Sequence, residues 1–426
     1  MLYPKNKRDI SQELFKNPTS EYRGAPFWAW NSSLNKEDLL EQIDNFKIMG
    51  IGGFHIHSRT GLAVDYLSDE FMSLVKLCNE KAKEEDMLCW LYDEDRWPSG
   101  FAGGYVTKDD QYRQRFLVFT PIYYNDSEIV VEHLRANKRV EQGKKRKLLA
   151  RYEIVLENGY LTRYKRLKDN EKSKDNSKIW YAYLEIAADD PWFNNQAYVD
   201  TLNKRAIETF VEITHEKYFQ ELGEDFGKSI PAIFTDEPQF TRKSYLQFSE
   251  DESEIILPFT DDFEESYFNS YNQSILDHLP ELIWELPNGQ ISLVRYRYHD
   301  HLTERFTQAF ADTIGDWCEN HGILLTGHLM EEPTLESQTA CVGEAMRSYR
   351  SFQLPGIDML CDRREFTTAK QAQSAAHQYA REGVLSELYG VTNWDFDFRG
   401  YKLAGDWQAA LGVTVRVHHL TWVSMQ

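Results

Sequence analysis

Short runs of hydrophobic residues alternate with longer amphipathic segments along most of this chain. Apolar runs bounded by glycine, proline or polar clusters are typical of buried strands, whereas apolar residues repeating every three to four positions are typical of helices. Eight such runs predict strands: Pro26–Asn31, Ile51–His57, Met87–Asp93, Ile230–Asp236, Gly322–His328, Gly356–Cys361, Gly383–Leu388 and Val413–Leu420. Their alternation with helices predicts an α/β fold with a parallel sheet, and eight repeats suit a (β/α)8 TIM barrel.

The predicted helices carry recognisable end signals. Asn35 can cap a helix that presents Leu39 and Ile43 on one face and ends at Gly50. Ser68 opens a second helix in the same way, and a long third one is predicted from about Ser292 to His321. No helical segment follows the last predicted strand, so we expect a barrel without its last helix. The chain would then be a fragment or truncated version of a longer one, or a neighbouring molecule would cover the gap.

A β-rich stretch interrupts the alternation after the third strand. Between residues 111 and 203, runs such as RFLVFTPIYY and IWYAYLEIA are separated by charged or asparagine-rich turns. This pattern predicts an inserted subdomain. We therefore expect residues 1–110 to form the first part of the barrel, 111–203 the β-rich insertion, and 204–426 the remaining strands.

Charge and composition narrow the classes of function. A net charge of -20 disfavours nucleic acid and anionic membranes as partners. No apolar stretch approaches the ~20 residues of a membrane span, and the N-terminus has no secretory signal, which predicts a cytoplasmic protein. The five cysteines are scattered without CxxC spacing, which argues for a reducing compartment and against zinc.

The candidate chemistry gathers at the predicted carboxyl ends of the strands, where barrel enzymes keep their reactive groups. These ends carry acids, histidines and tryptophans rather than scattered lysines. The predicted catalytic carboxylates are Glu237, Glu387 and Glu332. The predicted substrate-binding residues are Trp28, Trp30, His55, His57, Asp93, Asp95, Trp97, Asp236, His328, Trp394 and His419.

Paired carboxylates with aromatic platforms are typical of glycoside hydrolysis, in which one carboxylic acid protonates the leaving oxygen and a second carboxylate attacks or activates water. Glu237 and Glu387 form the best pair by position, and Glu332 is a third candidate. Glu387 lies in the apolar run LSELYG, where an unpaired carboxylate is costly to bury. Asp236 and Glu237 could instead begin a solvated loop or a helix.

A metal site is an alternative use of the same strand ends. His55 and His57 are two residues apart, so they point to the same side of a strand, whereas the neighbours His418 and His419 point to opposite sides. The run from Asp93 to Asp95 offers oxygen ligands to a hard cation such as calcium, although it lacks the spacing of a dedicated calcium loop.

At these strand ends the sequence resembles the catalytic barrel of the α-L-rhamnosidase-type glycoside hydrolases, family 106. The likeness rests on APFWAWN, LLEQIDNFKIMGIGGFHIHSRTGL and LYDEDRWPSGFAGG, and extends to TDEP, GHLMEE and SELYG. It implies a (β/α)8 fold, hydrolysis of a terminal α-L-rhamnosyl or similar linkage with inversion, and a calcium ion near the sugar. It also implies β-rich domains after the barrel. Glu237 matches the acid after strand four and Glu387 the carboxylate of strand seven.

The leading hypothesis is thus a glycoside hydrolase acting on a carbohydrate, with Glu237 as general acid and Glu387 or Glu332 as base or nucleophile. Acids on strands four and seven are also common in retaining enzymes, so the stereochemistry stays open. One alternative is a carbohydrate-binding barrel that is inactive or truncated. Another is a metal-dependent isomerase or hydrolase that uses His55, His57 and the Asp93–Asp95 run.

Overall fold

The computed structural model describes Leu2 and residues 11–124, 143–173, 177–360 and 364–425 in full, and residues 131–134 and 140–142 by their backbone. Its strands within these ranges are β1 Phe27–Trp30, β2 Gly53–Ser58, β3 Leu88–Tyr92, β4 Arg115–Thr120, β5 Val131–Leu134, β6 Val140–Glu157, β7 Tyr160–Leu167, β8 Lys178–Ala187, β9 Ala232–Asp236, β10 Ile255–Pro258, β11 Leu324–His328, β12 Leu354–Met359, β13 Leu385–Leu388, β14 Val415–His418 and β15 Thr421–Trp422.

The helices of the same ranges are α1 Gln12–Lys16, α2 Lys36–Ile48, α3 Asp69–Glu84, α4 Lys204–Ile213, α5 His215–Leu222, α6 Phe263–Tyr271, α7 Leu293–Phe306, α8 Thr313–Asn320, α9 Leu335–Cys341, α10 Ala345–Ser348, α11 Phe366–Gln378 and α12 Phe398–Ala410. Asn35 and Ser68 cap α2 and α3 as predicted. The long third helix consists of α7 and α8, joined by a π-helical turn at Thr307–Asp312. None of the described helices combines the length and the apolar composition that crossing a bilayer requires.

Nine parallel strands form a nearly closed barrel in the order β14-β13-β12-β11-β9-β3-β2-β1-β15. Seven predicted strands match observed ones with small shifts at their ends, whereas the eighth, Val413–Leu420, is replaced by the two short strands β14 and β15. β14 pairs with β13, and β15 pairs with β1. β14 and β15 are therefore the two edge strands of the sheet, and the barrel is open between them. The prediction of an α/β barrel is therefore confirmed.

A second, six-stranded antiparallel sheet contains the strands predicted within residues 111–203. Its order is β10-β4-β8-β6-β5, with β7 paired to β6. β10 comes from residues after β9 and pairs with β4, so this sheet also uses a strand from outside the predicted insertion. The division of the chain into separate units at residues 110 and 203 stays a prediction.

Side chains of the barrel strands alternate between the barrel interior and the surrounding helices, as the period of two requires. The interior is filled by a compact apolar cluster that includes Phe27, Trp90, Tyr92 and Phe234. A much larger cluster packs the outer face of the barrel against the helices. The interior cluster forms the floor beneath the polar residues at the strand ends.

Candidate active site

Four consecutive barrel strands place acidic or imidazole side chains in one inward-facing layer at their carboxyl ends. Asp236 on β9 is in register with His328 on β11, and Asp358 on β12 is in register with Glu387 on β13. Residues in register on neighbouring parallel strands lie at the same height and on the same face of the sheet. The register of the sheet therefore brings these four side chains together.

His328 is the centre of this cluster. Its Nε2 lies 2.7 Å from Glu387 Oε2 and 3.8 Å from Asp236 Oδ1, and the imidazole is fully buried. When Glu387 is ionised its oxygen can only accept, so Nε2 then carries the proton of this bond. The cluster continues to Glu237, since ligand atoms of Glu237, His328 and Asp358 lie within 4.8 Å of one another.

Glu237 directly follows β9 and is half-buried. Its backbone has a positive φ of 47°, and its N–H donates to the carbonyl of His328 at 3.1 Å. Burial raises the pKa of Glu237, and the negative charges of Asp236, Asp358 and other nearby carboxylates raise it further. The sharp turn thus presents an acid that favours its protonated form.

Glu387 is buried with only 5 % of its surface exposed, and its surroundings differ from those of Glu237. Burial and the charge of Asp236 raise its pKa, but the guanidinium of Arg59 opposes this rise. The hydrogen bond from His328 also favours the charged carboxylate. Of the two predicted partners, Glu387 therefore has the surroundings that better support a carboxylate.

Glu332 lies at the edge of the cluster, and both of its oxygens already accept hydrogen bonds. Tyr349 Oη donates to one at 2.5 Å and the backbone N–H of Asp358 donates to the other at 2.9 Å. Burial raises the pKa of Glu332 to about 7. Its contacts tie the loop after β11 to β12.

The sequence reasoning missed Asp358, which lies inside the predicted sixth strand rather than at its end. Burial and the charge of Glu387 raise its pKa to about 7, and its Oδ1 is buried without a hydrogen-bond partner among the described residues. An acid in the apolar run GIDML was the available signal, since the alternation of side chains along a strand places Asp358 on the same face as Leu354.

Aromatic rings form the floor under the acids. Tyr92 Oη donates to Asp236 Oδ2 at 2.6 Å, and the Tyr92 ring stacks on His57 at 3.9 Å and on Phe234 at 6.0 Å. His57 is fully buried and stacks on Tyr92, so it belongs to this floor, and its Nδ1 lies 2.5 Å from the carbonyl of Ser58. The floor lies beneath the mouth of the barrel, which is the opening at the carboxyl ends of its strands.

His419, which follows β14, also lies near the cluster. Its Nε2 is 3.8 Å from Glu387 Oε1, and burial lowers its pKa to about 4.

Arg59 and tryptophans occupy the opposite side of the mouth. The Arg59 guanidinium lies 5.1 Å from the ring centre of Trp97 and 5.9 Å from that of Trp422. Trp97 also meets the edge of Trp192 at 4.5 Å. Trp97 was predicted as a binding residue, whereas Arg59, Trp192 and Trp422 were missed.

The prediction that Trp28 and Trp30 bind the substrate is wrong. Both side chains are fully buried on the outer face of β1, where Trp28 packs edge-on against Phe46 of α2. The positions that face the barrel interior are Phe27 and its alternate neighbours. Neither indole has a surface on which a sugar could stack.

His55 is also wrongly predicted as a binding residue. It lies one layer below His57, fully buried between Phe27 and Trp90, and its Nδ1 lies 2.9 Å from the carbonyl of Ala25. Burial lowers its pKa to about 3, so the ring is neutral. It is a core histidine of the barrel.

The Asp93–Asp95 run does not face the mouth as a cation site. Asp93 Oδ1 accepts from Ser99 Oγ at 2.6 Å, and its other oxygen lies near His215 of the helix layer. Asp95 accepts from Arg96 and Asn194 in the loop after β3. Within the described ranges, the groups of three or more residues that lie close enough to share a metal ion include none of His55, His57, Asp93 and Asp95.

Trp394 lies in the loop after β13 and is 98 % exposed. No contact joins it to the acidic cluster in the part of the chain that the structure describes. Its role in substrate binding stays a prediction.

Known proteins share the fold of this chain, but none of the comparisons shows the family to which it belongs. No protein-family model matches the chain, and no curated protein matches it. Among the solved structures that match is a rhamnosidase from Novosphingobium sp. PP1Y, with a TM-score of 0.65 and 12 % identity. The match covers 97 % of this chain and 56 % of the rhamnosidase, so this chain spans little more than half the length of that protein. At this identity the likeness shows a shared fold.

Proposed function

We propose that this protein is a glycoside hydrolase that removes a terminal glycosyl residue from a glycan, with an α-L-rhamnosyl residue as the first candidate. The observation that carries the proposal is the cluster of buried or half-buried acids around His328 at the mouth of the barrel. The resemblance of the strand-end motifs to rhamnosidases supports the choice of sugar, as does the fold shared with the Novosphingobium protein.

The surroundings of the two glutamates support distinct roles. Glu237, with a pKa raised by burial and like charges, donates its proton to the glycosidic oxygen as the bond to the anomeric carbon breaks. Glu387, whose charged form is favoured by Arg59 and by a hydrogen bond from His328, takes a proton in that form from the water that attacks the anomeric carbon. One displacement at that carbon inverts its configuration. Glu332 is less suited to the base role, because both of its oxygens are already engaged.

We also infer that β14 and β15 act as one interrupted eighth strand. They are separated by two residues, and each pairs with one of the two strands that a single eighth strand would join. This interpretation gives the barrel the (β/α)8 strand count.

A calcium ion, which the resemblance implies, suits the oxygen-rich part of the cluster. Glu237 and Asp358 would hold it, since their ligand atoms lie within 4.8 Å of each other and Asp358 Oδ1 lacks a partner among the described residues. A bound divalent cation would neutralise the crowded negative charges and bind sugar hydroxyls. A cation on Glu237 excludes a proton there, so we expect calcium to raise the Tm of the wild type, leave that of Asp358→Asn unchanged, and inhibit turnover.

The experiment that tests the function is hydrolysis of a panel of 4-nitrophenyl glycosides that includes the α-L-rhamnoside. We expect turnover with one of them, and Glu237→Gln to fold normally but lose at least a hundredfold in kcat. Unchanged turnover in Glu237→Gln would remove this residue from the mechanism. NMR of the first product anomer tests inversion. Sugar binding without any turnover would instead favour a non-catalytic carbohydrate-binding barrel.

A further inference from the structure

The mouth of the barrel is divided into two chemically different halves. The acids Asp236, Asp358 and Glu387 come from β9, β12 and β13, which lie in one half of the strand order. Arg59 follows β2 and Trp97 follows β3, and the remaining aromatic wall comes from β15 next to β1. A substrate that spans the mouth therefore meets acids on one side and an arginine between indoles on the other.

Among the described residues of these loops, Arg59 differs from the other arginines because it has no carboxylate partner. Arg96 is paired with Asp95 at 2.8 Å and Arg242 with Glu331 at 2.6 Å. Throughout the described residues, Arg59 has no ion pair, and its recorded hydrogen-bond contact is with His57 Nε2 at 3.3 Å. A guanidinium has five N–H donors, so most of its donors stay free for a ligand.

The tryptophans hold this cation in place without neutralising it. Trp97 and Trp422 both lie within 6 Å of the guanidinium carbon, which is the range of a cation–π contact. Arg59 is half-buried, and Trp422 is 38 % exposed, so this site is open to solvent on one side. The planar guanidinium of Arg59, with its several N–H donors, is thus held next to the flat indole rings of Trp97 and Trp422.

We propose that Arg59, between Trp97 and Trp422, binds a carboxylate of the substrate, so that the preferred glycan carries a hexuronic acid at this side of the mouth. A planar guanidinium pairs with a carboxylate through two parallel hydrogen bonds, and indole faces stack on the apolar face of a sugar ring. The opposite half of the mouth presents acids rather than a guanidinium, so the carboxylate of an acidic sugar is better accommodated next to Arg59. This inference rests on the proposed function, since it names the substrate class of the same site.

The test is a ligand-observed NMR titration of Glu237→Gln with D-galacturonate and D-glucuronate, each compared with its neutral sugar, D-galactose or D-glucose. We expect one of the uronates to bind at least tenfold more tightly than its neutral counterpart. Adding Arg59→Gln should reduce this preference to less than twofold, and Arg59→Lys, which keeps the charge but loses the fork, should leave an intermediate preference. The surface variant Arg205→Gln on α4 is the matched control and should leave the preference unchanged.

The inference is overturned if neutral and acidic sugars bind equally, or if Arg59→Gln keeps the preference. Tighter binding of a sulfated galactose than of either uronate would overturn the assignment to a carboxylate. A role of Arg59 confined to stabilising the charge of Glu387 would shift the pH profile of aryl glycoside hydrolysis without any preference for uronate. Because binding is measured without turnover, uronate binding by a protein that cleaves no glycoside would refute the proposed function and leave this inference standing.

Discussion

The buried carboxylate of Glu94 organises the loop after β3. Five backbone N–H groups donate to it. Those of Asp95 and Gly103 reach Oε1 at 2.8 and 2.6 Å, and three consecutive ones, at residues 100–102, reach Oε2 at 2.8 to 3.0 Å. The side chain is fully buried, so water does not replace these bonds. The substitution Glu94→Gln keeps the size of the side chain but replaces one acceptor oxygen with an NH2 group.

The expected magnitude follows from counting the donors on each oxygen. The glutamine carbonyl can take the place of Oε2 and accept from the three consecutive N–H groups. Its amide nitrogen then faces the N–H groups of Asp95 and Gly103, and donors facing donors cannot bond. A buried N–H without an acceptor costs about 1–3 kcal/mol, so the two together should lower the free energy of unfolding by about 2–4 kcal/mol, since Gly103 N–H is only partly buried.

The measurements are urea unfolding at neutral pH and hydrogen exchange at the two amides that lose their acceptor, those of Asp95 and Gly103. We expect faster exchange at these amides even under conditions in which the barrel stays folded. Glu41→Gln, an exposed position on α2, is the control and should change stability by less than about 0.5 kcal/mol. A loss below about 1 kcal/mol for Glu94→Gln, with unchanged exchange, would refute the argument.

Three further predictions concern groups in and near the cluster. His328→Leu removes the donor to Glu387 and puts no other donor in its place, so the pKa of Glu387 should rise and the acidic limb of the pH–rate profile should move to higher pH. Tyr349→Phe removes a donor to Glu332, which should raise the pKa of Glu332 above 7 and lower stability by about 1–3 kcal/mol in urea unfolding. Burial raises the pKa of Asp93 from 3.8 to about 8, so between these values the folded state holds a proton that the unfolded state has released, and stability falls as pH rises. Asp93→Asn should therefore gain in urea midpoint relative to the wild type between pH 5 and pH 8; a constant difference would contradict this assignment.

The sequence predicted the barrel because its strands are short apolar runs that begin after glycine or proline and end in polar residues. The eighth strand was predicted as one continuous segment, whereas the structure has two. Nothing in the sequence around Arg416, His418 and His419 indicates where the chain stops pairing with β13 and starts pairing with β1. β10 was missed because four residues, IILP, are too short to stand out, and because proline usually argues against a strand. Only the antiparallel partner β4 makes this segment a strand.

The candidate site was predicted in part, and the misses have one cause. Reading the residues at strand ends finds Asp236, Glu237 and Glu387, but it ignores which side of the strand each residue occupies. Side chains alternate between the two faces of a strand. This alternation points Trp28 toward the helices, although it was predicted to bind substrate, and points Asp358 toward the barrel interior, although it was overlooked. The partners of Arg59 come from loops far apart in sequence, so only the closed sheet brings them together.

The raised pKa values of the cluster follow from what lies beneath it as much as from the acids themselves. The floor of Phe27, Tyr92 and Phe234 fills the barrel interior with aromatic rings, which excludes water from the lower side of every carboxylate above it. An acid that is solvated from one side only, and that faces other acids across the mouth, favours its neutral form. The charge of Arg59 and the hydrogen bond from His328 oppose this tendency at Glu387, and the hydrogen bond from Tyr349 opposes it at Glu332. Burial by the floor favours the neutral form of the acids above it, whereas the opposing contacts favour the charged form of particular acids such as Glu387. A proton donor and a carboxylate can therefore coexist in one mouth.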